Sequence, residues 1–274
     1  MKVIWFSGNL GNQIFYCKYI EYLKLKYPNK RIYGYFDKKC PSITVNKYFN
    51  LELPKTKWFV NALSFLVFKV LGVIFRRIPR KCVPSFYCGR GKLNDKSTFI
   101  AHSMQMKYFY CDDSSKWLQI KMPETLSEEY LKYESLIKES NAVCVHLRRG
   151  DYIKPGSSFV DLSSTDYYTK AIALTKIWYP DCKLFFFTDD MNYATEKFSG
   201  EGTYYVDCNR GANSFLDIKL MSLAKVNIIA NSTFSYWAGY INNENKKIIY
   251  PRFWFAEYTQ LKTPDIMLEN WIGV

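Results

Sequence analysis

K2VIWFSGNLGNQIFYCKYIEYLKLKYPNKRIYGYF36 decides the fold. Residues 2 to 6 are an apolar run of strand length, G8NLGN12 turns the chain, and residues 12 to 26 carry the spacing of an amphipathic helix stopped by Pro28 and Asn29. R31IYGYF36 supplies a second strand. Strand, glycine turn, helix and strand in that order open a parallel α/β domain. The pattern restarts at N141AVCVHLRRGDY152, where Val143, Val145 and Leu147 alternate along a strand that empties into a charged turn. Helices are predicted at 165–178, 191–198, 214–224 and from 234, between strands at L184FFF187, T203YYVD207, V226NIIA230 and K247IIY250. The second half is thus a doubly wound domain in its own right. The expected division is residues 1–130 and 131–274, with an irregular, basic and apolar insertion at about 55–92 in the first part.

The chain has 274 residues, of which 48% are hydrophobic and 18% aromatic; that excludes disorder and suits two modest domains. A net charge of +13, from 38 Lys and Arg against 25 Asp and Glu, calls for an anionic partner: nucleic acid, an anionic membrane surface or a phosphorylated small molecule. Eight cysteines stand at 17, 40, 82, 88, 111, 144, 182 and 208 without a CxxC pair, and only two histidines accompany them, so no metal is expected. Cys17 and Cys144 fall in apolar stretches and read as small buried hydrophobes. No basic head with a long apolar core precedes the first strand, and a cytoplasmic location is expected. W58FVNALSFLVFKVLGVIF75 falls short of ~20 apolar residues and carries Lys69, so it is not expected to span a bilayer. Around it, Leu53 to Asn94 contains no acidic residue, while Lys55, Lys57, Lys69, Arg76, Arg77, Arg80, Lys81, Arg90 and Lys92 accumulate. Two readings stay open: an interfacial element peripheral to anionic lipid, or a buried helix with solvated basic ends.

Each dense polar cluster follows an apolar strand. G8NLGN12, H146LRRGDY152, T188DD190 and N231STFS235 all occupy such positions, where open α/β sheets bind ligands. Arg148 and Arg149 offer rigid forks of donors suited to a diphosphate, and Gly150 lets the chain turn beside them; either arginine could instead pair with Asp151, Asp189 or Asp190. N231STFS235 presents hydroxyls and free backbone N–H groups to an anion, or serves as an ordinary helix cap. The glycine turn matches neither the dinucleotide fingerprint nor the lysine-bearing phosphate loop, but brings Gly11 and the amides of Asn9, Asn12 and Gln13 toward a ligand. His146 is a candidate base or a structural histidine. Asp217 is an acid at the start of an otherwise apolar helix, and no D-x-D motif is present to carry a metal.

Taken together, G8NLGNQIF15, H102SMQMKYF109, V145HLRRGDY152, F187TDD190 and L220MSLAKVNIIANSTFSYWAGY240 resemble the bacterial α-1,2-fucosyltransferases of glycosyltransferase family 11. The resemblance covers residues 3 to about 255. It implies a GT-B-type fold of two facing doubly wound, Rossmann-like domains, with the acceptor on the first. It also implies GDP-fucose as donor, inversion at the sugar carbon, no metal or other cofactor, and a glycan or lipid-linked oligosaccharide ending in β-galactose as acceptor. By that resemblance Arg148 holds the diphosphate with Arg149 and Asp189 beside it, Ser232, Thr233 and Ser235 lie at the phosphates next to Asn231, and Asp217 accepts hydrogen bonds from guanine. His146 or Asp151 is the expected base. This chain departs from the family pattern at Asn9, at His102 and at F234SYWAG239, which bears chiefly on the acceptor. Two other readings remain: a transferase using another donor, such as GDP-mannose or a dTDP-deoxysugar, and a non-catalytic RNA- or nucleotide-binding module. Nucleic acid is not expected as a partner, because the basic run is itself apolar and the arginines sit singly at a turn.

Overall fold

The computed structural model describes residues 1–36, 43–71, 95–101, 104–107, 117–241 and 246–274, together with the backbone of 86–88. His102, the basic residues Arg76, Arg77, Arg80, Lys81, Arg90 and Lys92, and the side chains of Cys40, Cys82, Cys88 and Cys111 lie outside the described residues. The chain divides into two compact units, Met1–Asp112 and Asp113–Val274.

The first unit is built on β1 (Lys2–Phe6), α1 (Leu10–Lys26), β2 (Ile32–Phe36), a single turn α2 (Val45–Tyr48), α3 (Trp58–Phe65), β3 (Phe86–Cys88) and β4 (Phe99–Ala101). All four strands are parallel, in the order β2-β1-β4-β3. β1 is central, and its alternation sends Val3 into a cluster with Tyr33, Tyr35, Val60, Val67, Phe68 and Phe99. On the opposite face Phe6 meets Tyr16 of α1, ring centroids 4.9 Å apart. Two expectations are corrected. Instead of one apolar stripe, α1 is buried on every side from Gln13 to Ile20, and is exposed only in its last turn, from Lys24 to Lys26. The middle of the unit is not wholly irregular, since β3 pairs with β4.

The second unit contains α4 (Glu128–Lys138), β5 (Ala142–Leu147), α5 (Tyr167–Trp178), β6 (Lys183–Thr188), α6 (Met191–Lys197), β7 (Thr203–Val206), α7 (Phe215–Met221), β8 (Val226–Ile228), α8 (Thr233–Tyr240), β9 (Lys247–Tyr250) and β10 (Ile272–Gly273). Its sheet is wholly parallel, in the order β10-β9-β8-β5-β6-β7. The sequence predicts five of these strands; β10, of only two residues, is too short to carry a period. β5 is buried along its whole length, as a central parallel strand covered on both faces must be. Val143, Val145 and Leu147 pack with Tyr167, Tyr168, Ala171 and Ile172 of α5. On the other face His146 lies against Phe234 of α8, ring centroids 5.7 Å apart. Helix α4 belongs to this sheet as well: Ser127 caps it, its Oγ accepting from the Tyr130 N–H at 3.1 Å, and the Tyr133 hydroxyl donates to the carbonyl of Tyr205 on β7 at 2.9 Å. Two parallel sheets flanked by helices are the doubly wound α/β, GT-B-type composition expected from the sequence.

Tyr167 clamps the middle of the second sheet. Its buried hydroxyl lies 2.6 Å from the Ile229 carbonyl and 3.1 Å from that of Ile249, bridging the segments after β8 and within β9. Tyr167→Phe is expected to lower unfolding free energy by about 1–3 kcal/mol, because it strips a donor from buried acceptors. Urea denaturation with an unchanged m-value is the check.

Candidate functional site

The strand order of the second sheet reverses at β5. From β5 the chain steps outward to β6 and β7, then returns to β8 on the other side and steps outward again to β9 and β10. At such a switch point the connections at the carboxyl ends of the two neighbouring strands diverge and leave a crevice. β5 delivers Arg148, Arg149 and Asp151 there, β6 delivers Asp189 and Asp190, and β8 delivers Asn231, Ser232 and Thr233. The Tyr152 hydroxyl donates to the Asn231 carbonyl at 3.1 Å, which ties the first of these turns to the last.

The two arginines are held differently. Arg149 donates from Nε to Asp190 at 2.9 Å and from Nη1 to Ser163 Oγ at 2.6 Å, its guanidinium lies 3.7 Å from the Tyr193 ring centroid, and its backbone N–H donates to Asp189 Oδ1 at 2.9 Å. Those contacts fix the turn. Arg148 is 31% exposed and pairs with Asp151 at 2.5 Å and Asp189 at 2.7 Å, with the Tyr152 ring 5.5 Å away. Two guanidinium groups therefore stand among three carboxylates, and the Arg148 fork is shared between Asp151 and Asp189. Gly150 makes room for this packing, since a Cβ there would lie 2.5 Å from Asp189 Oδ2 and push the carboxylate aside. Gly150→Ala is expected to cost about 1–3 kcal/mol of stability, read from thermal unfolding, because the carboxylate it displaces holds both arginines.

His146, beside this turn, is buried, and its Nδ1 has no hydrogen-bond partner among the described residues. Burial, with the Arg148 charge adding to it, pushes its pKa down to about 3, so the imidazole is neutral at physiological pH. Asp151 is the exposed carboxylate of the cluster, at 57%. Asn231 donates from Nδ2 to the carbonyls of Val160 and Trp254, both at 2.9 Å, and so braces the backbone. Ser235 is fully buried, its Oγ accepting from the Ala230 N–H at 3.2 Å, while Ser232 caps α8 by accepting from the Phe234 N–H at 3.3 Å. Thr233, at the first position of α8, keeps a partly exposed side chain.

Asp217 sits on α7, half-buried, and accepts from Asn209 Nδ2 at 2.8 Å. The protein packed around it raises its pKa to about 7, against the stabilising Asn209 bond. In the first unit Gly8 takes φ +84°, a conformation that favours glycine, and a Cβ there would meet Asn12 Nδ2 at 2.5 Å. Asn9 is exposed and starts α1, Gly11 is buried, and Asn12 Oδ1 accepts from Gln105 Nε2 at 2.9 Å. Gln13 is a brace, its Oε1 accepting from the N–H groups of Thr44 and Val45 at 3.0 and 3.1 Å.

Ser163, Tyr193 and Asn209 were not singled out by the sequence. Only for Tyr193 was there a local signal: it stands three residues after Asp190, whose Oδ1 accepts from the Tyr193 N–H at 3.1 Å as a helix cap, and that places its ring beside Arg149.

Residues 91–274 match the family model described as glycosyl transferase family 11. Over 147 residues the chain is 37% identical to the O-antigen biosynthesis glycosyltransferase WbnK of Escherichia coli; the match covers 52% of this chain and 48% of that protein. Over 289 residues it is 27% identical to an alpha-1,2-colitosyltransferase of Escherichia coli, covering 98% of this chain and 97% of that one. Among solved structures, a family 9 glycosyl transferase from Veillonella parvula aligns over 99% of this chain and 84% of its own, with a TM-score of 0.42 at 10% identity.

Proposed function

The chain belongs to glycosyl transferase family 11, and from that premise we propose that it is an inverting fucosyltransferase that moves L-fucose from GDP-fucose to a sugar hydroxyl, O2 of a terminal β-galactoside or a similar residue, on a surface glycan or its lipid-linked precursor. The observation that carries the donor half is Arg148, one fork of donors at the switch point, partly exposed and set on a turn that Arg149 makes rigid. In the proposed reaction the acceptor hydroxyl attacks the sugar carbon as GDP leaves, and Arg148 meets the negative charge growing on the departing diphosphate, aided by the N-terminus of α8 with Ser232 and Thr233. Arg149 and Asp189 act by positioning Arg148. Asp151 is the better candidate for the base, because its carboxylate is exposed whereas His146 is buried and, with its pKa pushed down to about 3, accepts a proton only weakly. Asp217, steadied by Asn209, is assigned to guanine, whose ring N–H and amino group are both donors. Asn9, Gly11 and Asn12, on the glycine turn of the first unit, are assigned to binding the nucleotide sugar.

Calorimetry of the full chain with GDP, UDP and dTDP, in EDTA, tests the reading. Selective micromolar binding of GDP supports it; preference for another nucleotide, or an absolute need for a divalent ion, withdraws the fucose assignment. A second reading, transfer of another deoxysugar, is favoured by the relative that spans nearly the whole chain and is described as a colitosyltransferase. Turnover measured side by side with fucosyl and colitosyl donors separates the two.

A further inference from the structure

We propose that the outer face of α3 and of the π-helical turn that continues it, Leu66–Leu71, is a docking surface for an anionic lipid bilayer. The inner face is accounted for. Val60, Val67 and Phe68 are buried in the first unit's cluster, and Ser64 is buried with its hydroxyl donating to the Val60 carbonyl at 2.6 Å. The outer face carries Trp58, Phe59, Leu63, Phe65, Leu66 and Val70, each between 40 and 83% exposed. Six of the fourteen large hydrophobic side chains that are exposed among the described residues thus fall within thirteen positions, whereas the others are scattered singly. A helix that is apolar on nearly every side is ordinarily buried on every side; this one leaves a row of large apolar side chains in water.

Charge chooses the occupant. Lys55 and Lys57 are exposed immediately before the helix, and no acidic residue occurs from Leu53 to Asn94. An apolar face of aromatic and branched side chains, preceded by two lysines and set in a stretch without acidic residues from Leu53 to Asn94, is complementary to the boundary between anionic headgroups and acyl chains. The exposed Trp58 at its start suits the same depth, since indole prefers the interface. No described helix is long and apolar enough to cross a membrane. The element therefore lies along the surface rather than through it. Of the two readings left open by the sequence, the wholly buried helix is excluded by these exposures, and the inference stands apart from the identity of the donor sugar.

Co-sedimentation of the full chain with phosphatidylcholine vesicles, with and without phosphatidylglycerol, is the test. Wild-type protein is expected to partition onto the anionic vesicles, Lys55→Ala and Lys57→Ala each to weaken partitioning about fivefold, and the double variant Trp58→Ala, Phe65→Ala at least ~10-fold. Because the aromatic pair is exposed, an unchanged circular dichroism spectrum and melting profile should accompany that loss. Equal partitioning of wild type and the aromatic variant, equal binding to neutral and anionic vesicles, or failure to bind either overturns the proposal. So does a lipid-free oligomer that the aromatic variant converts to a monomer, which would give the face to a second copy of the chain.

Discussion

Arg148→Ala is expected to lower turnover of the nucleotide-sugar donor about 10²- to 10³-fold while the chain stays folded. The effect is large because of where Arg148 stands. Charge that develops on a leaving diphosphate is best met by donors already fixed in place, and Arg148 leaves a fully buried strand, on a turn pinned by the Arg149 contacts to Asp190, Ser163 and the Tyr193 ring. The variant should stay folded because Arg148 is 31% exposed and its partners Asp151 and Asp189 are 57% and 27% exposed, so each pairing contributes at most about 1 kcal/mol to stability. Arg148→Lys should recover only part of the loss, because an ammonium keeps the charge and forfeits the two-pronged geometry. Initial rates with saturating acceptor, read beside a thermal melt, decide the matter; a folded alanine variant with undiminished turnover would remove Arg148 from the chemistry. Arg149→Ala should differ in kind, with stability falling along with activity, since that side chain fastens the turn to two neighbouring segments.

The contrast between those arginines also marks how far the sequence could be read. Strands β5, β6 and β9 were legible because a buried parallel strand is a short apolar run between polar turns, and the placing of polar clusters at strand ends followed directly. The order of strands was not legible, and with it the fact that β5 and β8 are neighbours, which is what brings the Arg148 turn next to Asn231 and Ser232. Nor could composition tell the two arginines apart: that depends on Ser163 and Tyr193, which lie 14 and more residues away and reach Arg149 only through tertiary packing. The amphipathic reading of α1 failed for a related reason. Its polar positions include Gln13 and Lys18, and both are buried with partners, Gln13 on the α2 backbone and Lys18 on Glu21 at 3.2 Å. At α3 the sequence left an interfacial and a buried reading open, because apolar content alone does not say which face meets the core; the structure leaves one apolar face exposed.

The second large effect concerns Asp217 and is expected to appear as pH dependence. The carboxyl titrates at 3.8 when unperturbed and at about 7 in the folded chain, burial being the cause. Between those values the folded state holds a proton that the unfolded state has released, so this group makes stability fall as pH rises from about 4 to about 7, by a ceiling of roughly 4 kcal/mol. Asp217→Asn abolishes that slope and keeps a neighbour for the Asn209 amide, so the variant should unfold at higher urea than wild type above pH 7 and lose the advantage near pH 4. Nucleotide binding should move the other way. Guanine offers two donors, and only the ionised carboxylate accepts both; GDP affinity should therefore rise about tenfold per pH unit up to pH ~7 and level off beyond it. In Asp217→Asn the affinity should be lower by about 10²-fold at pH 8 and flat with pH, because an amide presents one donor against the guanine edge. A stabilised variant that has lost GDP is a combination a purely structural aspartate cannot give. If the variant instead binds GDP as tightly as wild type, with the same pH profile, guanine recognition lies elsewhere in the second unit and the raised carboxyl is a feature of packing alone.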